Sequence, residues 1–180
     1  AIYFLSVSQA STTTSVLVNP PGPITYGTNS NFSCLNSAGL STILYVNGTN
    51  KDSEKNINVL RAAGTYLVNC TSSDNQNYTG NSQQVSYIIN KASSLIYLYV
   101  NGLRNNATIS KNQEIYINGS LQTGTGEILV YKNGSLIYQG SSPSSNLTNF
   151  STLGMYNLSA VYSETKNYSF SFETWWVNVV

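Results

Sequence analysis

Two cysteines and eleven Asn-x-Ser/Thr triplets are the residues of this 180-residue chain whose types and spacing admit chemistry. Cys34 and Cys70 lie 36 positions apart, each in a strand-like stretch (NFSC and YLVNC). That spacing fits neither a CxxC motif nor a zinc site. A disulfide is expected, with two free buried thiols as the alternative. Closing such a loop would stabilise a fold by about 4 kcal/mol through the entropy of the unfolded chain. It would also place the chain in an oxidising, extracytoplasmic compartment.

The triplets begin at Asn31, Asn47, Asn69, Asn77, Asn106, Asn118, Asn133, Asn146, Asn149, Asn157 and Asn167. Each is an acceptor for a covalent N-glycan. An Asn/Ser/Thr-rich chain makes some triplets by chance, so the alternative is that several stay unmodified; most are expected to be filled. Asn31 precedes Phe32 and Asn69 precedes Cys70, so strand alternation turns both Asn side chains away from a core.

Other chemistry is missing. Without histidine there is no Ser/His/Asp or Cys/His arrangement and no imidazole metal ligand. The acids Asp52, Glu54, Asp74, Glu114, Glu127, Glu164 and Glu173 are scattered and form no calcium loop. The stretch from Gly124 to Glu127 lacks the lysine and the following helix of a phosphate loop. The expectation is a non-enzyme without cofactor or metal. Only 8% of residues are charged and the net charge is +1, too little field to steer nucleic acid or anionic lipid. So few titratable groups imply a weak dependence of stability on pH, which would suit an acidic exterior; drift in a polar surface explains the same composition.

The elements that must position these residues are strands. Apolar content of 41%, rich in Tyr, Val, Ile and Thr, suffices for a packed pleated core. No stretch has a helical period. The chain also aligns with itself. LRAAGTYLVNCTSSDNQNY (60–78) matches FSTLGMYNLSAVYSETKNY (150–168) without gaps, pairing Gly64 with Gly154, Tyr66 with Tyr156 and Tyr78 with Tyr168. ILYVNGT (43–49) matches LVYKNGS (129–135). Alternating runs broken by turn chemistry at this spacing predict one Greek-key sandwich per copy. In copy one Tyr66, Val68 and Cys70 share a face, as do Phe32 and Cys34, so the cross-link would join two inner faces. Copy two has Ala160 for Cys70, and Ile115 or Ile117 is expected in the region of Cys34. The short passage from Val85–Ile89 to Leu95–Val100 predicts a fairly fixed, end-to-end arrangement.

Each half resembles the Ig-like repeats of bacterial and archaeal surface proteins, on "TYG", "YVNGT" and "AGTY…NY" in copy one and their equivalents in copy two. The resemblance covers residues 13–180. It implies an all-β fold of two tandem immunoglobulin-like β-sandwich domains, over 13–91 (with the disulfide) and 92–180, on the cell surface. STILYV carries no Trp and Tyr66 stands four residues before its Cys, which departs from the antibody pattern.

Residues 1–12, AIYFLSVSQAST, have no counterpart in the alignment. Ile2, Tyr3, Phe4, Leu5 and Val7 form an apolar, strand-favouring run that an exposed tail would not favour. Read as a donor strand, this N-terminal segment would add to a neighbouring copy of the chain. The contact is heterologous and open-ended, and so builds a fibre. Three other readings stay open: the end of a signal peptide, an edge strand folded back on its own domain, and a membrane helix, for which the run is too short. A strand-forming tail, Ig-like head, dense triplets and scarce charge together resemble the thread-type pilus subunits of thermoacidophilic archaea. That resemblance implies an extracellular, glycosylated cell-surface filament whose partners are copies of itself and other cells or surfaces, with no nucleic acid and no membrane span. The alternative function is a monomeric adhesin or stalk. Trp175, Trp176 and Val177 are candidates for part of an acceptor groove, with ordinary core packing the competing role for Trp175.

Overall fold

A computed structural model describes residues 4–180, so Ile2 and Tyr3 of the donor segment lie outside the described residues. The chain divides into two units, one ending at Asn90 and the other running from Lys91 to Val180. The first contains β1 (Thr14–Asn19), β2 (Ile24–Thr25), β3 (Ser30–Asn36), β4 (Thr42–Val46), β5 (Thr49–Asn50), β6 (Asn58–Val59), β7 (Gly64–Ser72) and β8 (Ser82–Asn90). Its sheets have the orders β1-β3-β6 and β2-β8-β7-β4-β5. The second contains β9 (Leu95–Val100), β10 (Ala107–Ile109), β11 (Glu114–Thr123), β12 (Glu127–Lys132), β13 (Ser135–Ser141), β14 (Asn146–Asn149), β15 (Gly154–Tyr162) and β16 (Ser171–Val179). Its orders, β9-β11-β14 and β10-β16-β15-β12-β13, repeat the first. Pairing is antiparallel except where the short β2 and β10 lie parallel to the ends of β8 and β16. Both units are immunoglobulin-like sandwiches whose first strand leaves one sheet and rejoins the other.

Alternation builds both cores. β4 buries Thr42, Leu44 and Val46, and β12 buries Ile128 and Val130. Across the first core Phe32 meets Tyr87 edge-on, with centroids 5.2 Å apart. The Asn-Gly pairs of YVNGT and YKNGS form two-residue turns. Asn47-Gly48 has φ of 49° and 76° and Asn133-Gly134 has 48° and 77°, the left-handed conformations that type I′ hairpins require. Cys34 on β3 and Cys70 on β7 form the disulfide between the facing sheets, with Cα atoms 5.6 Å apart.

Strand register revises three sequence expectations. Ala10 bridges Tyr78 as Ala92 bridges Tyr168, so residues 9–12 correspond to 91–94 and belong to the first sandwich. Among the described residues 4–8 remain surplus; the sequence missed this because QAST and KASS carry no apolar pattern. Val16 pairs with Cys34 where Leu98 pairs with Gly119, so the counterpart of Cys34 is Gly119, not Ile115 or Ile117. Ile117 instead stands in the place of Phe32, since Val18 pairs with Phe32 as Val100 does with Ile117. A Cβ at Gly119 would lie 2.9 Å from Ile128 Cδ1 and 3.2 Å from Val130 Cγ2, so the opposite sheet fills the space that a cysteine would need. Finally, Val59 pairs with Ser30 as Thr148 does with Ile115, which matches Arg61 rather than Leu60 to Phe150. Both Arg61 and Phe150 are buried, and the ungapped alignment holds from Gly64 onward.

Candidate functional site

The segment ahead of the first sandwich is anchored at one point. The Ala10 N–H donates to Asn77 O at 2.8 Å, and Ala10 O accepts from the Thr79 N–H at 2.9 Å. Gln9 Nε2 donates to Asn75 O, and the buried Thr12 hydroxyl to Thr79 O at 2.7 Å. Upstream of this anchor residues 4–9 join no strand. Phe4, Leu5 and Val7 are 93%, 91% and 84% exposed. The described part of the donor segment therefore presents three large apolar side chains to water beside a fixed base.

The backbone leaves an open cleft between β1 and β8. Asn90 O accepts from the Tyr26 N–H, so in β8 the residues of the same parity, Gln84, Ser86 and Ile88, turn their N–H and C=O groups away from β7. The short β2 covers this edge only from Ile88 onward, and among the described residues no strand pairs with Gln84 and Ser86. In β1 the Ser37 N–H donates to Thr13 O, so Thr14, Val16 and Val18 turn their backbone groups away from β3. The Val16 N–H is capped by Gln83 Oε1 at 2.6 Å. Between these edges lies a cavity of about 340 Å³ lined by Val16, Val18, Val85, Tyr87 and the turn at Pro21–Pro23.

The second unit closes the same place. The Leu98 N–H, in the position of Val16, donates to Glu173 Oε2, in the position of Gln83. Arg104 pairs with Glu173 and lies over the Tyr97 ring, 3.5 Å from its centroid. The Trp176 N–H, equivalent to the open Ser86 N–H, donates to Asn106 Oδ1 at 2.9 Å. Burial pushes the Glu173 carboxyl up, but the Arg104 and Leu98 hydrogen bonds and the Arg104 charge outweigh it and hold the group below the ordinary carboxylate range. Val177 lies in the core, Trp175 packs against it and Trp176 is exposed, so these residues line no open groove.

The glycan acceptors fall into two settings. Asn47, Asn77, Asn106, Asn133 and Asn149 are exposed; Asn31, Asn69, Asn118, Asn146, Asn157 and Asn167 are half-buried. Along a strand the hydroxyl two residues on lies on the same face as the Asn, and Ser33, Thr148 and Ser159 donate to Oδ1 of Asn31, Asn146 and Asn157 at 3.3, 2.7 and 3.0 Å. Asn47 and Asn133 occupy the same turn in the two units, accepting from the Leu67 and Asn157 N–H groups through Oδ1. Asn146 Nδ2, Asn149 Nδ2 and Asn31 Nδ2 are engaged with Ile137 O, Asn112 O and Asn58 Oδ1.

Sequence reasoning missed one role. Tyr66 and Tyr156 each donate a phenolic hydrogen bond to the carbonyl four residues earlier, Ala62 O at 2.8 Å and Thr152 O at 2.9 Å. The recurrent Tyr two residues after Gly64 and Gly154 was the available signal. Among the described residues no group of three or more His, Cys, Asp or Glu could hold a metal ion, and no helix is long and apolar enough to cross a membrane.

The class defined by this topology is a tandem pair of immunoglobulin-like β-sandwiches. No known family and no curated protein matches the chain. Among solved structures, the titin domains Z1Z2 in complex with telethonin are 13% identical, covering 97% of this chain and 98% of that one with a TM-score of 0.48. The fibronectin(III)-like modules of Clostridium thermocellum CbhA are 11% identical over 92% and 94%, TM-score 0.42. Domains 4 and 5 of the S-layer protein SbsC are 12% identical over 95% and 100%, TM-score 0.33.

Proposed function

We propose that the chain is a structural, non-catalytic subunit of an extracellular, N-glycosylated surface filament, joined by adding the N-terminal segment of one copy as a strand to the next. The observation that carries this reading is the exposure of Phe4, Leu5 and Val7 on a segment whose base is hydrogen-bonded at Ala10. Burying those three side chains would contribute about 5–9 kcal/mol before the entropy of joining, enough for a durable contact. The disulfide supports an oxidising exterior. With 8% charged residues, glycans on exposed acceptors such as Asn47 and Asn133 would supply the surface hydration that charges normally give.

The test is electron microscopy of the full chain beside a chain lacking residues 1–8. That deletion keeps the Gln9–Thr12 contacts, so the first sandwich stays intact. Filaments in the full chain and none after the deletion are expected. Filaments that persist without residues 1–8 overturn the reading, as does a full chain that stays monomeric and binds a surface ligand saturably.

A further inference from the structure

The two sandwiches differ most where an added strand would have to go. Each has an edge pair, β1 facing β8 or β9 facing β16, at the point where the first strand crosses between sheets. In the second unit that gap is filled at more points. Leu98 and Val100 are fully buried, Trp175 packs against the core, Arg104 and Glu173 cross the opening, and the Asn106 side chain takes the Trp176 N–H. In the first unit Val16 and Val18, the equivalents of Leu98 and Val100, are only partly buried, and among the described residues nothing bonds the backbone edge at Gln84 and Ser86. The floor is apolar, the β8 wall carries unbonded main-chain groups at Gln84 and Ser86, and on the β1 wall the Val16 N–H is held only by the Gln83 side chain. Those are the two requirements for strand addition.

On the filament reading, we propose that this cleft of the first unit is the acceptor, and that its occupant is residues 4–8 of a second copy. Leu5 and Val7 share one face of an extended segment and would enter beside Val16, Val18 and Val85, while the inserted backbone pairs with Gln84 and Ser86. The chain cannot fill its own cleft with this segment. Ala10 is fixed on both sides against Asn77 and Thr79, and Gln9 reaches back to Asn75, so residues 4–8 leave alongside the β7–β8 loop, away from the cleft. Occupation by a different copy leaves that copy's own cleft free for a third, and the assembly stays open-ended. The first unit is thus donor and acceptor at once, and the second takes no part in the joint.

Cysteine pairing in mixed full-length chains tests the placement. Ser6→Cys chains, substituted on the face opposite to Leu5 and Val7 where Ser86 also lies, are mixed with Ser86→Cys chains, or with Trp176→Cys chains as the equivalent in the second unit, and oxidised. A cross-linked dimer is expected with Ser86→Cys and its loss to background with Trp176→Cys. Adding Ser86→Pro in place of Ser86→Cys removes only an edge N–H that β7 does not use, and should abolish filaments while leaving the thermal transition of the monomer in place. Cross-linking to Trp176→Cys, or filaments that survive Ser86→Pro, overturns the placement while filaments still depend on residues 1–8. If filaments do not depend on residues 1–8, the filament reading itself fails.

Discussion

The two sandwiches share one topology but hold their facing sheets together by different means. The first places Cys34 and Cys70 opposite each other and spans the gap with a disulfide. The second places Gly119 and Ala160 there, and Ile128 and Val130 reach into the space. At the edge cleft both units cap the first strand with a side chain from the last. One uses the neutral Gln83 and leaves the cleft open; the other uses Glu173, braced by Arg104 and Tyr97, and closes it. Covalent cross-linking thus accompanies the unit whose edge is exposed. A sandwich with an unfilled edge cleft has forgone apolar burial, and a cross-link between its sheets offsets that loss.

The largest expected effect of breaking this difference is on the disulfide. Cys34→Ala with Cys70→Ala should destabilise the first unit by about 4 kcal/mol and leave the transition of the second unmoved, as read by denaturant unfolding. Gly119→Ala should cost the second unit about 1–3 kcal/mol, because the new methyl crowds Ile128 and Val130. Tyr66→Phe and Tyr156→Phe should each cost about 1 kcal/mol in their own unit, the same amount in both, since each loses one equivalent hydrogen bond.

The smallest effect is the pH dependence of the clasp. The Glu173 carboxyl titrates below its ordinary range in the folded chain, so its contribution is complete above the ordinary carboxylate pKa and is lost as pH falls through the lower folded value. Glu173→Gln should therefore be less stable than the natural chain at neutral pH and equal to it in strong acid. Asp52, held low by the Lys55 hydrogen bond, and Glu54, held low mainly by Lys51, give the first unit the same sign of dependence, so the comparison is made within the second unit.

Much of this was legible from residue types. Paired Asn-Gly turns, period-two alternation and the recurrent Gly-x-Tyr motif carry local information, and the strands and turns they imply are present. The role of Gly119 was not legible, because register across β11 is fixed by pairing with β9 over a stretch whose apolar residues, Ile115 and Ile117, look like better counterparts of Cys34. Residues 9–12 were assigned to the tail because their contacts are main-chain hydrogen bonds to residues 75–79, which leave no pattern in side-chain type. The contrast between open and closed clefts depends on Arg104 meeting Glu173 across 69 positions, a pairing that neither residue's surroundings announce.

The most direct test of the joint between copies is amide hydrogen exchange at Gln84 and Ser86. Their N–H groups face the open cleft, with Thr174 as the equivalent position in the second unit. In assembled full-length chain these two amides should be protected, and in chain lacking residues 1–8 they should exchange rapidly, with Thr174 unchanged between the two. Equal exchange at Gln84 and Ser86 in both preparations would contradict the account.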